Sequence, residues 1–211
     1  MTSIRNSKSL PRPVSPAVTD DAVLRACYDC VLDFGVSRVT MADIARRAGV
    51  SRMTLYRHHT DLPTLFTTVL REELTFLLAT IEAGLPAKLD ARTSTAQAVA
   101  AVTKAVAMHP LMRRVLDVDP ESLLPLMVDR LGSTQRMARE HLSGIIAAGM
   151  SSRGGDGSVR DGDPDLFAFT LTMTAQSFVF SERIVQETDP RAFDELQQLV
   201  MGYLAPVGGA S

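Results

Sequence analysis

Residues 41–59, "MADIARRAGVSRMTLYRHH", decide the fold of this chain. Thr40, which immediately precedes this stretch, and Asp43 stand three residues apart and form a capping-box variant, with Asp in place of the usual Glu. This pair predicts a short helix that begins after Thr40 and runs through Ala48. Gly49 ends that helix, because glycine is favoured where a helix stops. The stretch therefore opens with one short helix and a tight turn.

A second short helix follows the turn, with Ser51 as its expected N-cap, and runs to about His59. At about 100° per residue, Leu55 and His59 share one face and point into the protein. They are expected to pack with Ile44, Ala45, Ala48 and Val50. The opposite face carries Arg52, Met53, Thr54, Tyr56, Arg57 and His58. Two short helices joined in this way are the helix-turn-helix pattern.

The outward residues of the second helix are of the types that read DNA. Arginine can donate two hydrogen bonds to guanine O6 and N7, and methionine can contact a thymine methyl group. Threonine, tyrosine and histidine can donate hydrogen bonds to phosphate oxygens. The pattern therefore predicts a helix that lies in the major groove.

The order "TMADIARRAGVSRMTLYRH" closely resembles the DNA-binding signature of the tetracycline-repressor (TetR) family of bacterial transcriptional regulators, and the resemblance covers about residues 20–75. It implies an all-α fold, with an N-terminal three-helix helix-turn-helix head and a helical ligand-binding and dimerisation domain. It also implies a homodimer that binds a palindromic DNA operator, usually represses, and releases DNA when a small-molecule effector enters the body. By this resemblance the phosphate contacts are Thr40, Thr54, Tyr56 and His58, and the base-reading residues are Arg52, Met53 and Arg57.

Two positions, His59 and Leu62, depart from the family pattern. His59 stands where the family usually has an apolar, often aromatic, residue, so either the helix is anchored less firmly or a neutral histidine is buried. Leu62 replaces a frequent lysine, which removes one phosphate contact, although the free amides after the Asp61 cap can still approach a phosphate. His58 and His59 are expected to point in different directions, and we therefore expect no shared metal ion.

Composition and charge fit this interpretation. The chain has 211 residues, 45% hydrophobic and 22% charged, as in an ordinary globular protein. Its net charge is −2, but residues 1–61 hold nine Lys/Arg against six Asp, a net +3, and the remainder carries −5. A basic end on an acidic body suits a protein that presents one end to a polyanion. The sequence has no run of about 18 apolar residues and no signal-peptide pattern, which predicts a cytoplasmic protein without membrane contact.

The chain is expected to divide into a disordered arm at residues 1–18, a DNA-binding domain at 19–61 and an effector-binding and dimerisation domain at 62–211. The arm contains prolines and lacks helical periodicity. Its basic residues are either solvated or minor-groove contacts. These residues are Arg5, Lys8 and Arg12.

The first helix is predicted from about Asp20 to Phe34, with Thr19 as its N-cap. Cys27 and Cys30 fall on its apolar face. Their C-x-x-C spacing also occurs in redox and metal sites, but no second cysteine pair completes a zinc set and no strand precedes them. The sequence therefore favours core packing over a thiol sensor.

Helical periodicity continues through the body. Predicted helices cover residues 62–83, 93–108, 110–117, 121–149, 164–187 and 190–204. The glycine-rich sequence "SSRGGDGSVRDGDP" at residues 151–164 predicts a flexible loop.

Methionine and aromatic residues of the body are candidates for an adaptable apolar cavity, which favours a mainly hydrophobic effector. The candidate ligand contacts, with simple core packing as the alternative, are Met112, Leu116, Met127, Phe169 and Met173. By the family resemblance, the last two long helices pair with their twins in a four-helix interface. The candidate interface residues, with packing inside one chain as the alternative, are Phe178, Phe193, Leu196, Val200 and Tyr203.

Two other classes of function are alternatives to the ligand-responsive regulator. An enzyme would use His109, His141, Asp117 or Glu121 as acid-base groups, but no nucleophile-base constellation, metal set, phosphate loop or cofactor motif accompanies them. We therefore expect neither catalysis nor a cofactor or metal. A regulator controlled by a protein partner instead of a small ligand remains open at this point.

Overall fold

The computed structural model describes residues 16–123 and 132–206. The described chain forms ten α-helices: α1 Pro16–Phe34, α2 Met41–Ala48, α3 Arg52–His58, α4 Leu62–Gly84, α5 Ala91–Ala107, α6 Pro110–Val118, α7 Ser133–Ala148, α8 Pro164–Phe180, α9 Glu182–Thr188 and α10 Ala192–Tyr203. Short 3-10 turns lie at Val36–Arg38, Pro120–Leu123 and Ser151–Arg153. The predicted all-α fold with an N-terminal helix-turn-helix head is confirmed.

The local signals of the head are present as hydrogen bonds. The Asp43 amide donates to Thr40 Oγ1, and the Thr40 amide donates to Asp43 Oδ2, each at 3.2 Å. Gly49 ends α2 with φ at 69°, in the left-handed region. The Thr54 amide donates to Ser51 Oγ at 3.0 Å and caps α3. The capping box and the glycine stop therefore fix α2 and α3 where the sequence predicts them.

The head encloses one apolar core between α1, α2, α3 and the first turns of α4. Val31, Ile44, Leu55 and Leu65 are at most 1% exposed. Burying each of these large aliphatic side chains stabilises the fold by about 1.5–3 kcal/mol. Ala48 and Val50 pack against the same cluster. The inward face predicted for the two short helices is therefore the one that forms the core.

The first helix begins earlier than predicted. Residues 16–18 of the expected arm belong to α1, so Thr19 lies inside the helix instead of capping it. Pro16 is the first helical residue, and proline suits the first turn because the missing N–H would have no intrahelical acceptor there. Residues 1–15, including Arg5, Lys8 and Arg12, lie outside the described residues.

The body is built around α5, which packs against α4, α7, α8 and α10. Its buried cluster includes Ala96, Ile146, Leu171, Leu196 and Val200. This core holds the helices of the body around a cavity. Helices α4, α5 and α6 agree with their predicted bounds within about two residues.

Two predicted helices of the body differ from the structure. The helix predicted at 164–187 is interrupted at Ser181, which ends α8 with φ −99° and ψ 17° and precedes α9. The helix predicted at 121–149 is represented by a 3-10 turn and by α7, and residues 124–131 lie outside the described residues.

The glycine-rich segment after α7 is compact, which differs from the predicted flexible loop. Val159 is 2% exposed and forms an isolated bridge with Met150. The Arg160 guanidinium carbon lies 4.1 Å from the ring centre of Phe167 and 4.7 Å from that of Tyr203. Arg160 Nε donates to the Tyr203 carbonyl at 2.8 Å. The glycines form turns, and these apolar and cation–π contacts hold the loop against the body.

Gly49→Ala should destabilise the head by about 1 kcal/mol, because an alanine side chain is strained at positive φ. Gly144→Ala is a matched control: a methyl group at either glycine meets no atom within 4 Å, but Gly144 lies in α7 with ordinary helical geometry. Urea unfolding should show a lower midpoint for Gly49→Ala and an equal or higher midpoint for Gly144→Ala. Equal shifts would contradict the structure.

Candidate nucleic-acid interface and buried pocket

Helix α3 turns one face into the head and presents the other to solvent. Leu55 is 1% exposed, whereas Met53 is 84% exposed. Met53 and its polar neighbours on α3 are therefore accessible to a binding partner. The accessible side carries five of the residues predicted to contact DNA: Arg52, Met53, Tyr56, Arg57 and His58.

The charge on this surface is available to a polyanion. Within the described part of the chain, Arg52 and Arg57 form no ion pair with an acid, and the Arg57 guanidinium lies 3.3 Å from His58 Nε2. On the neighbouring helix α2, by contrast, Arg46 is paired with Asp43 at 2.7 Å. The positive charge of α3 is therefore uncompensated, which favours phosphate and base contacts.

The hydroxyls of the two predicted threonine contacts already form hydrogen bonds at the N-termini of α2 and α3. The Thr40 hydroxyl donates to the Asp43 carboxylate at 2.5 Å, and this bond is the main cause that lowers the pKa of Asp43. Thr54 Oγ1 lies 2.9 Å from Ser51 Oγ. A phosphate would have to compete with Asp43 for the Thr40 hydroxyl, so exposed Tyr56 is the better phosphate candidate.

His58 and His59 converge on one carboxylate, which corrects the expectation that they point in different directions. Asp20 Oδ1 of α1 lies 3.7 Å from His58 Nδ1 and 3.8 Å from His59 Nε2. The His59 side chain is 12% exposed, and neither His59 Nε2 nor Asp20 Oδ1 has a hydrogen-bond partner among the described residues. Burial lowers the pKa of His59, and Asp20 only partly opposes this effect. Of the two alternatives left by the sequence, these observations favour a largely buried histidine whose neutral form is stabilised.

Cys27 and Cys30 pack inside the head core, as predicted. Both are buried and unbonded to each other. Burial raises the pKa of the Cys27 thiol to about 12, and burial also raises the pKa of Cys30. Such thiols are not reactive at neutral pH.

A partly open cavity of about 220 Å³ lies in the body between α4, α5, α6, α7 and α8. Its walls are mainly aliphatic and methyl groups. The apolar lining includes Leu70, Leu74, Leu77, Val102, Val106, Met112, Ala138, Ala175, Val179 and Phe180. The arrangement fits an apolar small molecule.

The polar groups of the cavity wall form pairs. His109 Nε2 lies 3.2 Å from Glu73 Oε2, and the amide of Gln135 donates to that of Gln176. His109 also packs edge-on against Tyr28 of α1, with ring centres 6.1 Å apart. The pocket wall is thereby joined directly to the first helix of the head.

The structure separates the candidate ligand residues. Met112 lines the cavity, but Leu116, one turn further along α6, packs against the head core. Phe169 is 38% exposed, Met173 is half-buried, and neither belongs to the cavity lining. Met127 lies outside the described residues. Sequence reasoning did not identify Glu73 as a pocket residue, because its partner His109 is distant in the sequence and the two meet only in the folded chain.

The candidate interface residues are largely used within the chain. Phe193, Leu196 and Val200 are at most 1% exposed because the apolar face of α10 packs onto the body core, which corrects their interpretation as dimer contacts. Phe178 packs against Phe193 and Tyr203 against Phe167. The exposed apolar residues of α8 and α10 are instead Leu166, Phe169 and Leu199, at 55%, 38% and 50%.

The residues considered for acid-base chemistry do not form one site. His109 faces Glu73, and His141 bonds to Glu82 on the outside of the body. Asp117 bonds to Arg183 at 2.8 Å, and Glu121 is exposed on a 3-10 turn. Each has a separate structural setting.

None of the described helices is long and apolar enough to cross a membrane.

The family model "Bacterial regulatory proteins, tetR family" matches residues 24–61, which include α2 and α3. A protein described as an uncharacterized HTH-type transcriptional regulator of Mycobacterium tuberculosis is 34% identical over 190 residues, covering 89% of this chain and 95% of the relative. A relative from Mycobacterium bovis matches equally well.

Solved structures share the whole fold at low sequence identity. QsdR, a TetR-family repressor of R. erythropolis, has a TM-score of 0.65 at 16% identity and covers 93% of this chain and 100% of its own. AlkX, a TetR-family repressor of Dietzia, has a TM-score of 0.62 at 20% identity, covering 90% and 95%. FadR of Bacillus subtilis, solved with stearoyl-CoA, has a TM-score of 0.61 at 15% identity, covering 87% and 98%.

Together the head, the exposed helix α3 and these relatives define a helix-turn-helix transcriptional regulator, not an enzyme. The chain belongs to the TetR family of bacterial regulatory proteins, as its sequence motif predicts.

Protonation of His59 should make the stability of the head depend on pH. The pKa of His59 is lower in the folded chain, so the unfolded chain takes up more protons as the pH falls below about 6.5. The corresponding stability is complete above that pH and is lost as the pH approaches the folded pKa. His59→Phe should flatten the plot of unfolding free energy against pH.

Denaturant unfolding between about pH 7.5 and pH 5.5 measures this slope. His58→Gln is the control, because His58 faces the same Asp20 carboxylate but is more exposed, and it should keep the wild-type slope. Equal slopes for His59→Phe and the wild type would show that His59 is not the group responsible.

Proposed function

We propose that this regulator is a cytoplasmic homodimeric repressor that binds a palindromic operator and is released by a small, mainly hydrophobic effector. The proposal assigns DNA binding to residues 19–61 and effector binding and dimerisation to residues 62–211. The observation that carries it is the outward face of α3, where exposed Met53 and Tyr56 accompany the uncompensated charges of Arg52 and Arg57.

In this proposal α3 lies in the major groove. Arg52, Met53 and Arg57 read base edges, because guanidinium groups suit guanine and a flexible apolar chain suits the thymine methyl group. Tyr56 and His58 donate hydrogen bonds to phosphates at the edge of the groove. Thr40 and Thr54 complete the predicted phosphate set, although the Thr40 hydroxyl also caps α2 and the Thr54 hydroxyl hydrogen-bonds to Ser51, the cap of α3.

Arg57→Ala should weaken operator binding by about 1–3 kcal/mol and reduce discrimination against a random duplex. Fluorescence anisotropy with the duplex upstream of the protein's own gene, at several salt concentrations, measures both effects. Arg183→Ala removes an equal charge from α9 of the body, where Arg183 pairs with Asp117, and should leave specific binding unchanged. Equal loss in both variants would show that only net charge matters.

We infer that two protomers pair through the exposed apolar face of α8 and α10. On α8, Leu166 and Phe169 are three residues apart and lie on one side of the helix. Leu199 provides the exposed apolar side chain on α10. Pairing of two such faces by a twofold axis would bury them and hold two heads at a fixed spacing. This assignment replaces the interior residues Leu196 and Val200.

Phe169→Glu should convert the dimer to a monomer, because the interface would then bury two carboxylates without partners, at a cost of several kcal/mol. Phe76→Glu is the matched control, since Phe76 is 67% exposed on α4 outside the proposed interface. Sedimentation velocity should show a monomer only for Phe169→Glu, with weakened operator binding. A dimeric Phe169→Glu protein would place the interface elsewhere.

The effector is proposed to act through α6, which borders both the cavity and the head. Met112 lines the cavity, while Leu111 and Val115 of the same helix are buried in the head core. A ligand that fits one position of α6 better than another shifts the population between head arrangements by its differential affinity. The concave, mainly apolar cavity favours control by a small molecule over control by a protein partner.

A further inference from the structure

The cavity of the body is distinguished by the ionisable side chains in its lining. Its only ionisable lining residues within the described part of the chain are Glu73 and His109, and no lysine or arginine belongs to the described lining. Glu73 retains 37% side-chain exposure, whereas His109 retains 16%. The accessible charged group is therefore a carboxylate. His109 Nε2 already faces Glu73, so a positive charge on this imidazole would first be balanced by that carboxylate.

The remaining polar groups of the wall are occupied. Thr67, Thr103 and Thr172 each donate their hydroxyl to the carbonyl four residues earlier, at 2.6–2.8 Å. Gln135 and Gln176 bond to each other. One Glu73 oxygen faces His109, and the carboxylate keeps further acceptor capacity for a ligand.

Resting on the proposed function, we propose that the effector is an aliphatic molecule whose polar end donates a hydrogen bond to Glu73, as an alkanol or alkylamine does. A ligand with a carboxylate or phosphate head is disfavoured. Such a head would place a second anion beside Glu73 in mainly apolar surroundings, where like charges repel strongly and an unpaired anion is costly. A donor head instead gains a charge-assisted hydrogen bond.

The size of the cavity points to a short chain. Its volume of about 220 Å³ lies below the range of about 300–1,000 Å³ that is usual for larger ligands. Because Glu73 contacts His109, a ligand whose polar end binds Glu73 is also coupled to the helix-turn-helix head. His109 is the N-cap of α6 and packs against Tyr28, so a ligand at Glu73 bears on both α6 and α1.

Isothermal titration of the full-length protein with octan-1-ol, octylamine and octanoate separates head-group chemistry from chain length. The alcohol and the amine should bind, and octanoate should bind at least about tenfold more weakly. Glu73→Gln should weaken octylamine binding about tenfold and reduce the disadvantage of octanoate. Glu72→Gln, a neighbouring exposed residue outside the cavity lining that pairs with Arg71, should keep the wild-type order.

Operator binding measured with each ligand completes the test. Release by the alcohol or amine, and weaker release by octanoate, is the expected result. Octanoate binding as tightly as octan-1-ol, an unchanged order in Glu73→Gln, or no binding of any of the three would overturn the head-group assignment while operator binding stood. Failure of the ligand-free wild type to bind its operator would instead reject the proposed function. Operator binding by ligand-free Glu73→Gln verifies that this variant is folded.

Discussion

Helix α6 must satisfy two apolar environments at once, and the relation between head and body depends on this constraint. Leu111 and Val115 are buried in the head core, while Met112 borders the cavity. Arg114 Nη2 also donates to the carbonyl of Asp33 at the end of α1, at 3.0 Å. Because cores are densely packed, α6 cannot move within the cavity without disturbing the head.

The end of α6 is held against α1 so closely that the sequence must provide a glycine there. A methyl group on Gly35 would lie 2.3 Å from Asp119 Oδ2, and Gly35 also has φ at 84°. At the other end of α6, His109 contacts Tyr28 of α1. Burial, followed by the charge of Glu73, raises the pKa of Tyr28. The two ends of α6 thus connect α1 sterically and electrostatically to the cavity wall.

The features that the sequence predicts well depend on residues within about one helical turn of one another. Thr40 with Asp43, and Gly49, specify α2 because a cap or a stop is a local interaction. The apolar period of α10 is equally clear, but it identifies only which face is buried. It does not tell whether Phe193 and Leu196 face their own chain or a second one, and here they face their own. The sequence likewise does not predict that His58 and His59 converge on Asp20, because this contact depends on where α1 lies in the fold.

Relatives therefore say more about the positions of the side chains on α3 than about the lining of the cavity. The side chains of α3 lie on one short helix, so a shared helix geometry fixes their relative positions. The cavity is lined from five helices, and a single residue such as Glu73 sets the charge of its wall. FadR was solved with stearoyl-CoA, yet at 15% identity it shares only the fold with this chain. Effector chemistry must therefore be argued from the lining of each cavity.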